Sequence, residues 1–371
     1  MVNRVLEWYK LDKEGDEGRL VWDYFRETMA GCGKDPSFAI GRRNLITHAV
    51  DLMASTSTET YLSGARLLDA LLGRVSYEPS HDADGEQRPQ LCSVAAKALL
   101  ESASGTELIW KLLRTLDSRA QYDEAARAQA ATVLVHLGGY IHLEQFPGAL
   151  QCIAPLLEAA MISPLDPNPK IVGLRILQSL AANSGNVRAI TGTSSLVANI
   201  TKLLDIHRHN MHDMSSVTAA SASLVLIRRL VDRDFSLSGT PIIATDYSTF
   251  GAVTDATRRI LICHLCDRSL QTEAMNTLRC LLLFGWSDLY GKFTIIDVLT
   301  KVFALGRNDY SRELAGEKLA ILSSESYAPI GFDRVDNFVV ASLRGILADD
   351  ARDNDRVRVQ DTSSTHPKEP V

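Results

Sequence analysis

The chain has 371 residues, 46% of them apolar and only 6% aromatic, and a net charge of −6. That aliphatic content supplies a large core and excludes a wholly disordered chain, while the acidic balance excludes a strong basic field of the kind that draws nucleic acid or anionic lipid. No window approaches roughly 18 uninterrupted apolar residues, so no membrane span is expected; the richest stretch, Val217 to Val231, is broken by Thr, Ser and two Arg.

Residues 1 to 33 are aromatic-rich, with Val5, Leu6, Trp8, Tyr9 and Leu11 followed by Leu20, Val21, Tyr24 and Phe25. They read as a cap on the first helical layer, or as the broken start of a longer element. Two helices are predicted between 36 and 76, the second opening at Ser55-Thr56-Ser57-Thr58-Glu59 in the manner of a capping box. Residues 77 to 90, with Pro79, Gly85 and Pro89, read as an exposed loop. Paired helices follow over 91 to 160, with breaks expected at Gly105-Thr106 and Gly138-Gly139. After Pro164, Pro167 and Pro169 the helical pattern resumes at Ile171. Polar loops are expected over 207–215 and 234–248, then helices near 249–267, 271–284, 289–305, 309–323 and 333–348. The text after Asp349 is polar and charged and reads as disordered. No convincing strand pair appears; Ile242-Ile243-Ala244 is too short to carry a sheet.

One spacing runs through these helices. A small residue is followed by Leu four and seven positions later: Gly64, Leu68, Leu71; Ala130, Leu134, Leu137; Gly173, Leu177, Leu180; Ala274, Leu278, Leu281; Ala315, Leu319, Leu322. Ala222, Leu226 and Leu230 nearly match. These offsets lie on one helix face, where the small residue admits a neighbouring helix and the leucines fill the space beside it. The copies at 130 and 173 stand 43 residues apart, and those at 274 and 315 stand 41 apart. Periods of that size predict stacked helical repeats.

The segment 171 to 204 gives the pattern a name. It runs from a Leu-rich helix through Asn186, Arg188 and Ile190 to Gly192, and closes on Leu203-Leu204. This resembles an armadillo repeat, in which an Asn–Arg–Ile signature and a glycine-containing turn lead into a third helix. The texture is also similar to plant armadillo-type proteins without an assigned biochemical role. Leu108–Leu113 and Cys152–Leu157 fall about one repeat apart and read as further third helices. The resemblance is good over roughly 90 to 205 and looser over 36 to 76 and 215 to 348, and the later repeats carry long loops and lack the Asn–Arg–Ile signature. It implies a concave surface lined by third helices. Asn199 is the one Asn in a plausible place on it, and Trp110 and Trp286 make no ladder and read as packing residues.

Other chemistry is weaker. His207, His209 and His212 crowd one loop beside Asp205 and Asp213, but no fixed spacing presents them to zinc, and a solvated turn is preferred. Cys263-His264-Leu265-Cys266 has a Cys-x-x-Cys spacing but no second ligand pair, and it is expected late in the helix Thr257–Leu265 as buried thiols. The six cysteines are sparse and unpatterned, which points to a reducing compartment. No G-x-G-x-x-G, phosphate-binding loop or G-x-S-x-G elbow occurs.

The expected fold is therefore all-α: a right-handed α-solenoid (alpha-alpha superhelix) of about six to eight irregular armadillo/HEAT-like repeats over 36–348. Residues 1–35 would form an N-terminal cap and 349–371 a disordered tail. The expected function is non-catalytic: a scaffold that binds a protein partner through Lys111, Arg114, Asn199 and Lys202. No cofactor, nucleic acid, transmembrane segment or small-molecule substrate is expected. The alternatives are a regulatory subunit or adaptor of an enzyme or membrane-associated complex, or a helical metal protein using the 207–212 histidines. The expected location is cytoplasmic, with nuclear or membrane-peripheral placement as alternatives.

Overall fold

The small–Leu–Leu seams are where the helices meet. A Cβ on Gly64 would stand 2.6 Å from the Ala49 carbonyl oxygen, and one on Gly173 would stand 3.1 Å from Leu156 Cβ. Ala130, Ala274 and Ala315 are fully buried, and so are Leu68, Leu137, Leu177 and Leu281. The predicted face is thus the packing face, and each small residue lets a neighbouring helix approach closely. Each large buried leucine contributes about 1.5–3 kcal/mol relative to exposure.

The computed structural model describes residues 2–8, 15–34, 44–73, 96–97, 99–100, 103–117, 122–159, 168–205, 214–238, 247–263, 265–284, 289–305 and 309–324. Among them no strand occurs, and the fold is all-α as expected. The helices are α1 Val2–Trp8, α2 Asp16–Lys34, α3 Leu45–Ala54, α4 Thr58–Gly73, α5 Ala103–Leu116, α6 Glu124–Leu137, α7 Ala149–Glu158, α8 Pro169–Leu180, α9 Ser184–Thr191 and α10 Ser194–Lys202. There follow α11 Met214–Ser238, α12 Tyr247–Ile262, α13 Arg268–Phe284, α14 Leu289–Leu305 and α15 Asp309–Ser324. The loop 77–90, the expected helix 333–348, the tail 349–371 and the three histidines lie outside the described residues.

The chain divides into two compact units. The first comprises Met1–Leu203 with Val225–Leu237. Within it α2, α4, α6 and α8 touch in succession, and α3, α5, α7 and α10 form a second series. The two series join where α3 packs on α4, α5 on α6 and α7 on α8. Polar side chains tie neighbours within and between the series. Ser179 Oγ on α8 donates to the Val135 carbonyl of α6 at 2.6 Å, and Gln129 Nε2 on α6 donates to Asp69 of α4 at 2.9 Å. The buried Tyr61 hydroxyl on α4 donates to Thr115 Oγ1 on α5 at 3.2 Å. Burial pushes that phenol up to about 12.

The segment matching the armadillo pattern folds as α8, α9 and α10, and its Asn186 is buried. Asn186 Nδ2 donates to the carbonyls of Ile141 (2.7 Å) and Leu180 (2.9 Å), and its Oδ1 accepts from the Leu143 N–H at 2.8 Å. One amide therefore satisfies three backbone groups at the meeting of two turns about 43 residues apart.

The second unit comprises Leu204–Leu224 with Ser238–Val371. Here α12 packs on α13 and α14, and α13 packs on α15. Ser311 Oγ on α15 donates to Gln271 Oε1 on α13 at 2.9 Å.

Several helix ends differ from the sequence expectation. The α4 helix opens at Thr58 within the expected Ser55–Glu59 stretch, where the Ser57 hydroxyl accepts the Thr60 N–H at 3.4 Å, and a reciprocal capping box sits at Asn44 and Thr47, opening α3. The α5 helix starts at Ala103 and takes in Gly105, which is small because its Cβ would lie 2.3 Å from the Leu99 carbonyl oxygen. Gly138 ends α6 with helical dihedrals, and its missing side chain makes room for Ser179 rather than for a left-handed turn. The α11 helix runs on through Ser238, with Ser236 Oγ donating to the Asp232 carbonyl at 2.9 Å inside it. The α12 helix stops at Ile262, so Cys263 and Cys266 lie at a corner and not inside a helix.

Among the described residues one stretch, Met214–Asp234, is long and apolar enough to cross a membrane by length and composition, with mean hydropathy 1.3. A buried core helix passes the same test, and Leu224, Leu226, Ile227, Leu230 and Val231 are all buried.

Candidate functional site

On α5 the apolar positions Leu108, Ile109, Leu112, Leu113 and Leu116 face inward. That leaves Glu107, Trp110, Lys111 and Arg114 on the opposite stripe, spaced as neighbours on one helix face. Together with Tyr122 they line a recess of 640 Å³. The structure thus brings two of the four expected binding residues, Lys111 and Arg114, to one place.

Their roles there differ. Lys111 Nζ donates to the Ser55 carbonyl at 3.0 Å and stands 5.6 Å from the Tyr61 ring centroid. Partial burial pushes its ammonium below the usual lysine range. Lys111 therefore braces α5 against the α3–α4 turn as well as facing the recess. Arg114 is exposed, and among the described residues its guanidinium has no hydrogen bond or ion pair. Trp110 is half-buried: its ring meets Phe146 edge-on at 5.6 Å, and the rest lines the recess. The sequence reading treated it as packing alone. Tyr122 packs at 5.5 Å from Tyr61 and closes another wall.

The other two expected residues lie on α10. Asn199 is buried, and its Nδ2 donates to Glu158 Oε1 on α7 at 2.5 Å. Lys202 is exposed and donates to Asn199 Oδ1 at 3.4 Å. The Asn199 amide thus holds α7 and α10 together and offers little of itself to solvent, while Lys202 and Glu158 carry the exposed charges. Arg114, Glu158 and Lys202 give alternating sign along successive helices of the α3–α5–α7–α10 series.

Sequence reasoning missed Glu107, Trp110, Tyr122 and Glu158. A signal existed for the first two, because the polar stripe on α5 repeats at helical spacing with Trp110 inside it. Tyr122 and Glu158 reach the face only through tertiary packing. Among the described residues no group of three or more His, Cys, Asp or Glu is placed to hold a metal ion.

No family model matches the chain, and no curated protein matches it. Among solved structures, two crystal structures of engineered proteins from the Northeast Structural Genomics Consortium are similar. The first is 18% identical, covers 82% of this chain and 98% of the other, and has a TM-score of 0.44. The second is 13% identical, covers 81% of this chain and 88% of the other, and has a TM-score of 0.30. Likenesses this loose carry no argument about how the helices are arranged.

Proposed function

We propose that the chain is a non-catalytic protein-binding scaffold, that its first unit is an armadillo-like stack, and that the α5 stripe is the centre of its binding face. The observation that carries this reading is the recess itself: half-buried Trp110 and exposed Arg114 on a helix whose other face is locked in the core, with half-buried Tyr122 beside them. The two contacting helix series and the Asn186 clamp support the repeat reading.

The mechanism is geometric. A receptor surface fixed by buried helices loses little entropy on binding, so modest contacts along it sum to useful affinity. Trp and Arg are the side chains most often carrying the energy of such interfaces, since each covers much area with few rotatable bonds lost per contact. Here Trp110 offers an apolar plate and Arg114 a planar cation four residues on, while Glu158 and Lys202 select the charge pattern of the partner further along.

Arg114→Glu is the test, because among the described residues Arg114 makes no side-chain bond that would confound the result. Affinity capture should recover a stable partner with the native chain and lose it by at least about tenfold with Arg114→Glu, at unchanged melting temperature. Equal recovery with Arg114→Glu and with Trp110→Ala would refute this placement of the face.

A further inference from the structure

The corner between α12 and α13 brings two thiols together. The α12 helix ends at Ile262, one residue before Cys263, and α13 begins at Arg268, two residues after Cys266. The Cys266 and Cys263 side chains are hydrogen-bonded to each other, and Cys263 Sγ also accepts the Leu265 N–H at 3.4 Å. Cys263 is half-exposed and Cys266 is buried. Burial, together with the neighbouring Cys263 and the hydrogen bond to it, pushes the Cys266 thiol up, so it is held protonated.

Two polar contacts hold the described ends of this corner. Gln271 Nε2 donates to the Cys263 carbonyl at 2.9 Å, and Ser311 Oγ donates to Gln271 Oε1 at 2.9 Å. The Asp267 carboxylate accepts the Leu270 N–H at 2.8 Å and caps the start of α13. A disulfide would bring these two sulfurs from hydrogen-bonding reach to the bonded separation of about 2 Å.

We propose that Cys263 and Cys266 are a dithiol site that peroxide converts reversibly to an intramolecular disulfide. The Cys263 thiolate attacks one oxygen of hydrogen peroxide, the O–O bond breaks, and Cys263 becomes a sulfenic acid as hydroxide leaves. The Cys266 sulfur then attacks the Cys263 sulfur. The S–S bond forms, the S–O bond breaks, and the Cys266 proton leaves with that oxygen as water. In sum two thiols and one peroxide give a disulfide and two waters, with two electrons passing from sulfur to oxygen. Exchange with a dithiol reductant returns both thiols. Cys263 is the attacking residue because it is the one solvent reaches, and Cys266 the resolving one because it is the thiol beside it, its proton passing to the sulfenic oxygen as its sulfur attacks. The site is independent of the binding face proposed above.

The test uses the full chain, reduced, then exposed to graded hydrogen peroxide and alkylated. One tryptic peptide, Ile260–Arg268, contains both thiols, so closure appears as the loss of two hydrogens with no added alkyl groups. Closure is expected at peroxide concentrations about tenfold below those that oxidise Cys152, and dithiothreitol should reverse it. Cys152 is the internal standard: it too is half-exposed, and burial and the nearby Asp117 push its thiol up. In Cys266→Ser the oxidised Cys263 should persist long enough for dimedone to trap it, and in Cys263→Ser residue 266 should stay reduced. Recovery of Ile260–Arg268 with two alkylated thiols after Cys152 has oxidised would overturn the proposal, as would disulfides between chains in place of the internal one.

Discussion

The turn around Asn186 in the first unit and the corner around Gln271 in the second solve the same problem with different residues. Each joins successive helices, and each leaves backbone carbonyls that a helix no longer satisfies. Asn186 reaches back to Ile141 and Leu143 and closes the Leu180 carbonyl as well. Gln271 takes the Cys263 carbonyl and is itself held from ahead by Ser311. The separations are similar, 45 residues from Asn186 to Ile141 and 40 from Gln271 to Ser311. In both places one side-chain amide links residues 40–45 positions apart, reaching back in the first unit and held from ahead in the second.

Five outcomes break or sharpen this comparison. Asn186→Ala strands the buried Leu143 N–H and takes one of two donors from each of the Ile141 and Leu180 carbonyls, which keep Asn183, and should cost about 3 kcal/mol of stability in urea denaturation, the largest of the set. Gly64→Ala forces a methyl against the Ala49 carbonyl and the Leu52 side chain, and should cost about 2–3 kcal/mol by the same measurement. The Tyr61 phenol, raised to about 12 by burial, gives the first unit an alkaline weakness. Unfolding releases its proton near pH 10, so its contribution is complete below that pH and lost as pH rises toward 12, about 2–3 kcal/mol in all. Tyr61→Phe should flatten that part of the stability profile. Gln271→Ala should cost about 2 kcal/mol and leave the first unit's hydrogen-exchange protection unchanged; loss of protection around Leu143 would show the two clamps to be coupled. The smallest effect has the opposite sign. A Cβ on Gly251 meets nothing within 4 Å, so Gly251→Ala should stabilise α12 by about 0.5–1 kcal/mol.

The layered packing was legible because it is written as spacing. The Gly64, Ala130, Gly173, Ala274 and Ala315 seams and the leucines four positions on are buried where helical periodicity puts them. Helix ends were less legible because distant contacts decide them. The text from Thr257 to Leu265 reads as continuous helix, yet α12 ends at Ile262, where Gln271 takes the Cys263 carbonyl. No local propensity encodes a partner eight residues on. The same applies to Gly105 and Gly138, whose reason is a neighbouring backbone or side chain and not a turn. In the candidate site, Lys111 and Arg114 could be read from charge and helix position. That Lys111 is half committed to Ser55, and Asn199 to Glu158, depends on which helices lie beside them.

The most direct measurement of the binding account is site-specific photocrosslinking in cells, with a benzophenone side chain placed at 107, at 114, or at the exposed Arg175 on α8. The account predicts one discrete protein adduct from 107 and 114 and none from 175. An adduct from 175 with none at 107 or 114 would contradict it.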